Sequence, residues 1–358
     1  TMILFWSFVY LVYGLSAVQS GNTPQKNAGG PSIPKHPVMC PFSGNEAEND
    51  PGQLTLEPRN IPQECDVIIY QNFSINTESQ LDIDEGFLNQ ILATKKPVIL
   101  ELSHDESYNY WGPLLGPNKT YKETKVLRDF ALAHHVSGIL IGDAYPDDPT
   151  IQYDVNVGPN LPSYLRQLKG DSNLIIVLGI PCYGVILKST CAFNFAELNS
   201  IVDFYHVDSW GINYCIPGVF NGVVPVGKTE HGSNFLLGLE EISEIISETQ
   251  VDKTKLIYSL ELWPYEKDSL DDKSYHQVCT NNYTSSTWCI ENSKSLFAKG
   301  VFVRQQNAGC SIIFVEYDDI QNECGCGAFI GTKNIVAGYR GGAVKPCAKF
   351  DVQSSTLT

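Results

Sequence analysis

The chain has 358 residues, a formal net charge of −16 from 24 Lys+Arg against 40 Asp+Glu, 43% apolar residues and 11 cysteines. At that length and apolar fraction it can bury a full core, which excludes intrinsic disorder and a small disulfide-stapled scaffold. The acidic balance repels phosphate and no Lys/Arg stripe offsets it, so nucleic acid and an anionic membrane surface are disfavoured as partners, whereas neutral ligands such as sugars are not.

Thr1 to Ser20 carry no charged side chain, and a polar stretch opens at Gly21. The pattern reads as a secretory signal peptide over 1–20, with Val18 and Ser20 at the positions before the cut. A retained membrane anchor is the alternative, because the run is just long enough to span and lacks the usual basic start. No later stretch approaches a membrane span, so the mature protein is expected to be secreted, extracellular and monomeric. Sequons at Asn72-Phe73-Ser74, Asn118-Lys119-Thr120 and Asn282-Tyr283-Thr284 are candidate glycan acceptors on surface loops.

Eleven cysteines in an exported chain imply disulfides and at least one thiol left over. Spacing suggests loops closed by Cys182 with Cys191 and by Cys279 with Cys289. Cys324 and Cys326 are expected to reach two different partners, and Cys310, opening an apolar strand, is the expected buried thiol. No His or second C-x-x-C lies close to the Cys-rich end, so neither a metal site nor a cofactor is expected.

Gly21 to Pro34 has no apolar period and reads as a flexible leader. Beyond it the chain alternates. Apolar, β-branched runs fall at His36 to Phe42, Asp66 to Phe73, Pro97 to Ser103, Ser137 to Asp143, Leu174 to Ile180, Val202 to Ile212, Leu256 to Trp263 and Cys310 to Glu316. Between them, Asp84 to Thr94, Lys122 to His134, Leu161 to Lys169, Phe235 to Ser247 and Ile290 to Gln306 carry helical three-and-four spacing. Eight such strands alternating with helices predict an α/β fold, a single-domain (β/α)8 TIM barrel over 35–347 with a short tail at 348–358. A doubly wound open sheet is disfavoured, because Cys40-Pro41-Phe42-Ser43-Gly44 is no Gly-rich phosphate turn. In a barrel, chemistry belongs at the C-terminal strand ends.

Those ends carry a resemblance. Ser137-Gly138-Ile139-Leu140-Ile141-Gly142-Asp143-Ala144-Tyr145-Pro146 resembles the fourth-strand motif of glycoside hydrolase family 18, the chitinases, whose pattern is D-G-x-D-x-D-x-E followed by Tyr-Pro. Cys40 and Asn60 to Phe73 resemble its first cysteine and second strand, Val202 to Gly211 its sixth strand, Lys255 to Trp263 its seventh, and Gly309 to Asp319 its eighth. The resemblance implies a Cys40–Cys65 disulfide. It also implies a role for the motif's last Glu, which protonates the leaving glycosidic oxygen, and for the Asp before it, which orients the substrate's acetamido group.

Here the Glu position is Ala144 and the Asp positions are Ser137, Leu140 and Gly142. An alanine has no proton to give, and general acid catalysis is worth about 10²- to 10⁴-fold. The family's third-strand S-x-G-G is matched by Glu101-Leu102-Ser103-His104, its sixth-strand M-x-Y-D by Asp208-Ser209-Trp210-Gly211, and its floor Trp by Ile313. The chain therefore reads as a chitinase-like protein without catalytic residues, binding a glycan or an extracellular protein.

The rival is a hydrolase with relocated carboxylates. Alternation turns Asp143 away from the lumen unless a one-residue bulge turns it inward, and the register implied by the resemblance turns Glu101, Asp208 and Glu261 toward the mouth, where the plain alternative is solvated or hydrogen-bonded acids. Tyr145, Trp210, Trp263 and Tyr317 at strand ends, with Trp111 in the loop after the third strand, are candidates to stack on sugar rings or else simply pack the mouth. About 45 residues separate Trp263 from Gly309, too few for the family's full α+β insertion, so a shallow groove is expected.

Overall fold

The computed structural model describes residues 32–44, 54–104, 107–146, 150–231, 234–267, 273–281, 283 and 287–351. The signal-peptide reading and nearly all of the leader, together with Asn282 and the end of the tail, lie outside the described residues.

Eight parallel strands close on themselves: β1 (Val38–Phe42), β2 (Val67–Ile75), β3 (Val98–His104), β4 (Gly138–Ile141), β5 (Ile175–Pro181), β6 (Phe204–Asp208), β7 (Leu256–Glu261) and β8 (Gly309–Ile313). Each pairs with its sequence neighbour and β1 pairs with both β2 and β8, which completes the ring. The expected TIM barrel is thus the observed one. Its strands read as near-continuous apolar runs because both faces are buried. One face meets the helices and the other fills the lumen, where Met39, Val67, Ile69, Ile99, Leu140, Val177 and Ile257 form an apolar plug.

Helices α1 (Glu85–Leu92), α2 (Tyr108–Leu114), α3 (Lys122–Ala133) and α4 (Val157–Lys169) follow β2, β3 and β4. Asp84 starts α1 by accepting the amide of Phe87 at 2.9 Å. Two later helices, Ser293–Gln305 and Ile330–Arg340, pack backbone to backbone. A Cβ on Gly300 would lie 1.9 Å from the Ile335 carbonyl oxygen, and one on Gly338 would lie 2.1 Å from that of Phe297, so only glycine allows this approach. Phe235 and Leu236, expected in a helix, form the second strand of a short hairpin instead, and the helix begins at Leu239. Between β7 and β8 the described insertion amounts to a helix, Tyr275–Thr280, and a two-residue strand pair, Tyr265–Glu266 with Trp288–Cys289.

Four disulfides form among the described residues: Cys40–Cys65, Cys215–Cys289, Cys279–Cys324 and Cys326–Cys347. Cys310 is a buried thiol, and Cys324 and Cys326 do reach two different partners. Two expected pairings are corrected. Cys182 and Cys191 are both free thiols, and Cys279 does not pair with Cys289. Cys279 lies at the end of its helix and bonds to the loop after β8, whereas Cys289 lies on a strand and bonds to the loop after β6. Nearness in sequence did not decide these pairings. No helix is long and apolar enough to cross a membrane among the described residues. Asn72 and Asn118 are exposed, but Asn72 sits on β2 itself and not on a loop. The short helix Ala348–Asp351 closes the described chain, and its Asp351 carboxylate accepts the amide of Ser293 at 2.8 Å.

Candidate functional site

Above the apolar plug, the C-terminal mouth of the barrel opens into a cleft of about 330 Å³ lined chiefly by Gln71, Glu101, Asp143, His206, Asp208, Trp210 and Phe314. Gln71 reaches it through a bulge in β2. Between Tyr70, opposite Leu100, and Phe73, opposite Leu102, that strand carries one extra residue. The Gln71 amide then donates to Glu101 Oε2 at 2.9 Å. His206 and Asp208 stand two apart on β6 and share a face; His206 Nδ1 lies 3.1 Å from Asp208 Oδ1, and the Tyr145 hydroxyl donates to Asp208 Oδ2.

Glu101 fills space left empty by β4. A Cβ on Gly142 would stand 3.2 Å from Glu101 Oε1, so the carboxylate lies over the position where the fourth-strand pattern expects an acid and this chain has glycine. Burial holds Glu101 above the ordinary carboxylate range; His206 and the Gln71 amide oppose this, and the charges of Asp208 and Asp143 reinforce it.

Asp143 is on the wall of the cleft, contrary to the expectation that it faces away. Strand β4 stops at Ile141, so strict alternation no longer applies two residues on. Its carboxylate is held from behind: Oδ1 accepts the Trp111 indole N–H at 3.0 Å, and Oδ2 meets the His104 ring at 2.9 Å and accepts the His104 amide at 3.2 Å. His104 in turn points Nε2 at Glu123 Oε1, 3.5 Å away, and Glu123 accepts the hydroxyls of Tyr110 at 2.8 Å and Tyr164 at 2.5 Å. Burial alone would lower the pKa of His104, but hydrogen bonds and charge from Asp143 and Glu123 outweigh it and raise the value to about 9. A buried imidazolium between two carboxylates therefore fixes Asp143 at the cleft edge.

The remaining predicted residues separate into two groups. Trp210, 37% exposed, stands edge-on to Trp263 at 5.8 Å and to Phe314 at 6.3 Å. Trp263 is buried behind it against Phe314 at 5.2 Å and the half-buried Tyr317 at 5.5 Å. Tyr145 is buried. Trp111 has no exposed surface and serves Asp143, so it does not line the cleft. Glu261 is also absent from the lining: it is 3% exposed, accepts the Gly211 amide at 3.0 Å, and is pushed up to about 7 by burial, against the pull of Lys299. Of the degenerate motif positions, Ser137 immediately precedes β4, Leu140 belongs to the plug, Gly142 lines the cleft and Ala144 is 1% exposed.

No family model matches the sequence, and no curated protein matches it either. Solved structures do match. The Ostrinia furnacalis Group II chitinase catalytic domain 2 superposes with a TM-score of 0.72 at 15% identity, over 88% of this chain and 100% of that one. The fold is that of the family 18 chitinases. Within this chitinase fold, human YKL-39, described as a pseudo-chitinase with retained chitooligosaccharide binding, gives a TM-score of 0.65 at 14% identity, over 85% of this chain and 98% of its own. The immunomodulatory active chitinase of Trichuris suis, TsES1, gives 0.62 at 15%, over 90% and 100%. The same fold thus serves a protein described as an active chitinase and one described as a pseudo-chitinase.

Sequence reasoning did not single out Gln71, His206, Phe314, His104 or Glu123. His206 was within reach of it, two residues before Asp208 on the same face. Phe314 takes a left-handed backbone, φ 53° and ψ 78°, immediately after β8, and Gln71 lies past a bulge, so strand alternation predicts neither.

Proposed function

We propose that this protein is a secreted, glycosylated, chitinase-like glycan-binding protein that does not hydrolyse its ligand. One observation carries the reading: the residue at the general-acid position is Ala144, buried behind a mouth that still opens into a cleft. A cleft with the aromatic faces of Trp210 and Phe314 beside carboxylates suits a chitooligosaccharide-type ligand, the kind that YKL-39 is described as binding. The four disulfides support an oxidising, extracellular compartment.

The expected outcome is no turnover of a fluorogenic N-acetylglucosamine oligomer, with measurable oligosaccharide binding by calorimetry that weakens about tenfold in Trp210→Ala. A glycan array with no binding at all would transfer the function to an extracellular protein partner. The position of Glu101 favours a second reading, a hydrolase with relocated carboxylates among Glu101, Asp143 and Asp208. Turnover that is abolished in Asp143→Ala or Glu101→Gln establishes that reading and overturns the first.

A further inference from the structure

Building on the reading of the cleft as a glycan site, we infer that the glycan it selects bears a free, protonated amine, as in an oligomer of de-N-acetylated glucosamine. The lining residues bring together the carboxylates of Glu101, Asp143 and Asp208 and include neither Lys nor Arg. An independent observation comes from His206, a lining residue only 5% exposed. Its Nδ1 is 3.1 Å from Asp208 Oδ1, and its buried Nε2 has no partner. Gln71 repeats the pattern: its amide N–H donates to Glu101, which leaves its buried Oε1 unpartnered.

The cleft therefore offers acceptors. An acetamido carbonyl needs a donor, and the neighbouring ones are engaged: Tyr145 on Asp208, Trp111 on Asp143, and the Ser103 hydroxyl on the Phe73 carbonyl oxygen at 3.5 Å. The indole N–H of Trp210 and the second hydrogen of the Gln71 amide remain, few donors beside three carboxylates and the Gln71 Oε1. An ammonium brings three donors and a positive charge, which matches the acceptor set and relieves the mutual repulsion of the three carboxylates. Trp210 and Phe314 supply ring faces for the sugar and for the cation.

The test is calorimetric titration of the full chain at pH 6 with glucosamine tetramer and, separately, N-acetylglucosamine tetramer, each in 0.05 M and 0.5 M NaCl. The glucosamine oligomer is expected to bind about tenfold tighter or more at low salt, and high salt is expected to shrink that ratio severalfold. Glu101→Gln combined with Asp208→Asn is expected to abolish the preference for the glucosamine oligomer. Equal or tighter binding of the N-acetylated oligomer overturns the inference and leaves the glycan-binding reading intact, whereas binding of neither overturns both. Should the double variant fail to fold, the wild-type salt series decides, and an affinity ratio insensitive to salt overturns the inference.

Discussion

Replacing Glu123 with Ala is expected to lower the stability of the fold by about 3–5 kcal/mol, the usual cost of leaving one member of a buried ionic pair without its partner. Glu123 is 2% exposed, on the inner face of α3. It takes the hydroxyls of Tyr110 and Tyr164 and faces the His104 ring. Its removal strands two buried hydroxyls and takes half the counter-charge from His104, which stacks on Tyr110 at 4.2 Å and meets Trp111 edge-on at 4.8 Å. Glu123→Gln retains an acceptor and the shape while losing the charge, so its loss is expected to be smaller. Urea unfolding of the two variants beside the parent checks this; a loss below about 1 kcal/mol in Glu123→Ala would show that the network does not hold the loop after β3. Because the same imidazole positions Asp143, the destabilised variant is also expected to bind cleft ligands more weakly.

Stability is expected to fall as pH rises from mildly acidic to alkaline. His104 has a pKa raised from 6.5 to about 9, so the folded state holds its proton more tightly than the unfolded one. The stabilisation is complete below 6.5 and is lost as pH passes through 9, and a shift of that size corresponds to on the order of 3 kcal/mol. Glu261 acts in the same direction for a different reason. Burial raises its carboxyl from 4.5 to about 7, so the folded state favours its neutral form and loses that advantage as pH climbs from 4.5 through 7. Urea midpoints measured at pH 5, 7 and 9.5 are expected to decline steadily. His104→Gln is expected to flatten the upper half of the profile and Glu261→Gln the lower half. A wild-type profile level from pH 5 to 9.5 would rule out both assignments.

Much of the architecture was legible in order and spacing. Eight apolar runs each became a barrel strand, because a parallel strand buried on both faces has to be apolar along its length whatever its neighbours are. The helix start at Asp84 was readable for a local reason, since its side-chain oxygen accepts the amide of Phe87, whereas the segment read from Ile290 begins at Ser293, capped by Asn292. The Cys40–Cys65 bridge followed from resemblance and not from spacing, and the loop closures suggested by spacing alone, Cys182 with Cys191 and Cys279 with Cys289, did not form.

At the site, alternation failed for Asp143, two residues beyond the last paired residue of β4, whereas the register implied by the resemblance placed Glu101 and Asp208 at the mouth. It failed for Glu261 as well, which is on a strand end but is covered by the Trp210–Gly211 turn and drawn toward Lys299. Contacts of that kind join side chains far apart in the chain: Glu123 with His104 from helix to strand, Gln71 with Glu101 across a bulge.

The sequence by itself determined the barrel and the absence of any acid at Ser137, Leu140, Gly142 and Ala144, because strand periodicity and residue identity are local properties. Only the tertiary structure decided which acids face the cleft, that Glu101 lies over the space at Gly142, and that His206 and Gln71 each leave a buried polar atom unpartnered there. Those outcomes depend on where strands end, bulge and meet across the ring, and the distances between such atoms arise only when the barrel closes.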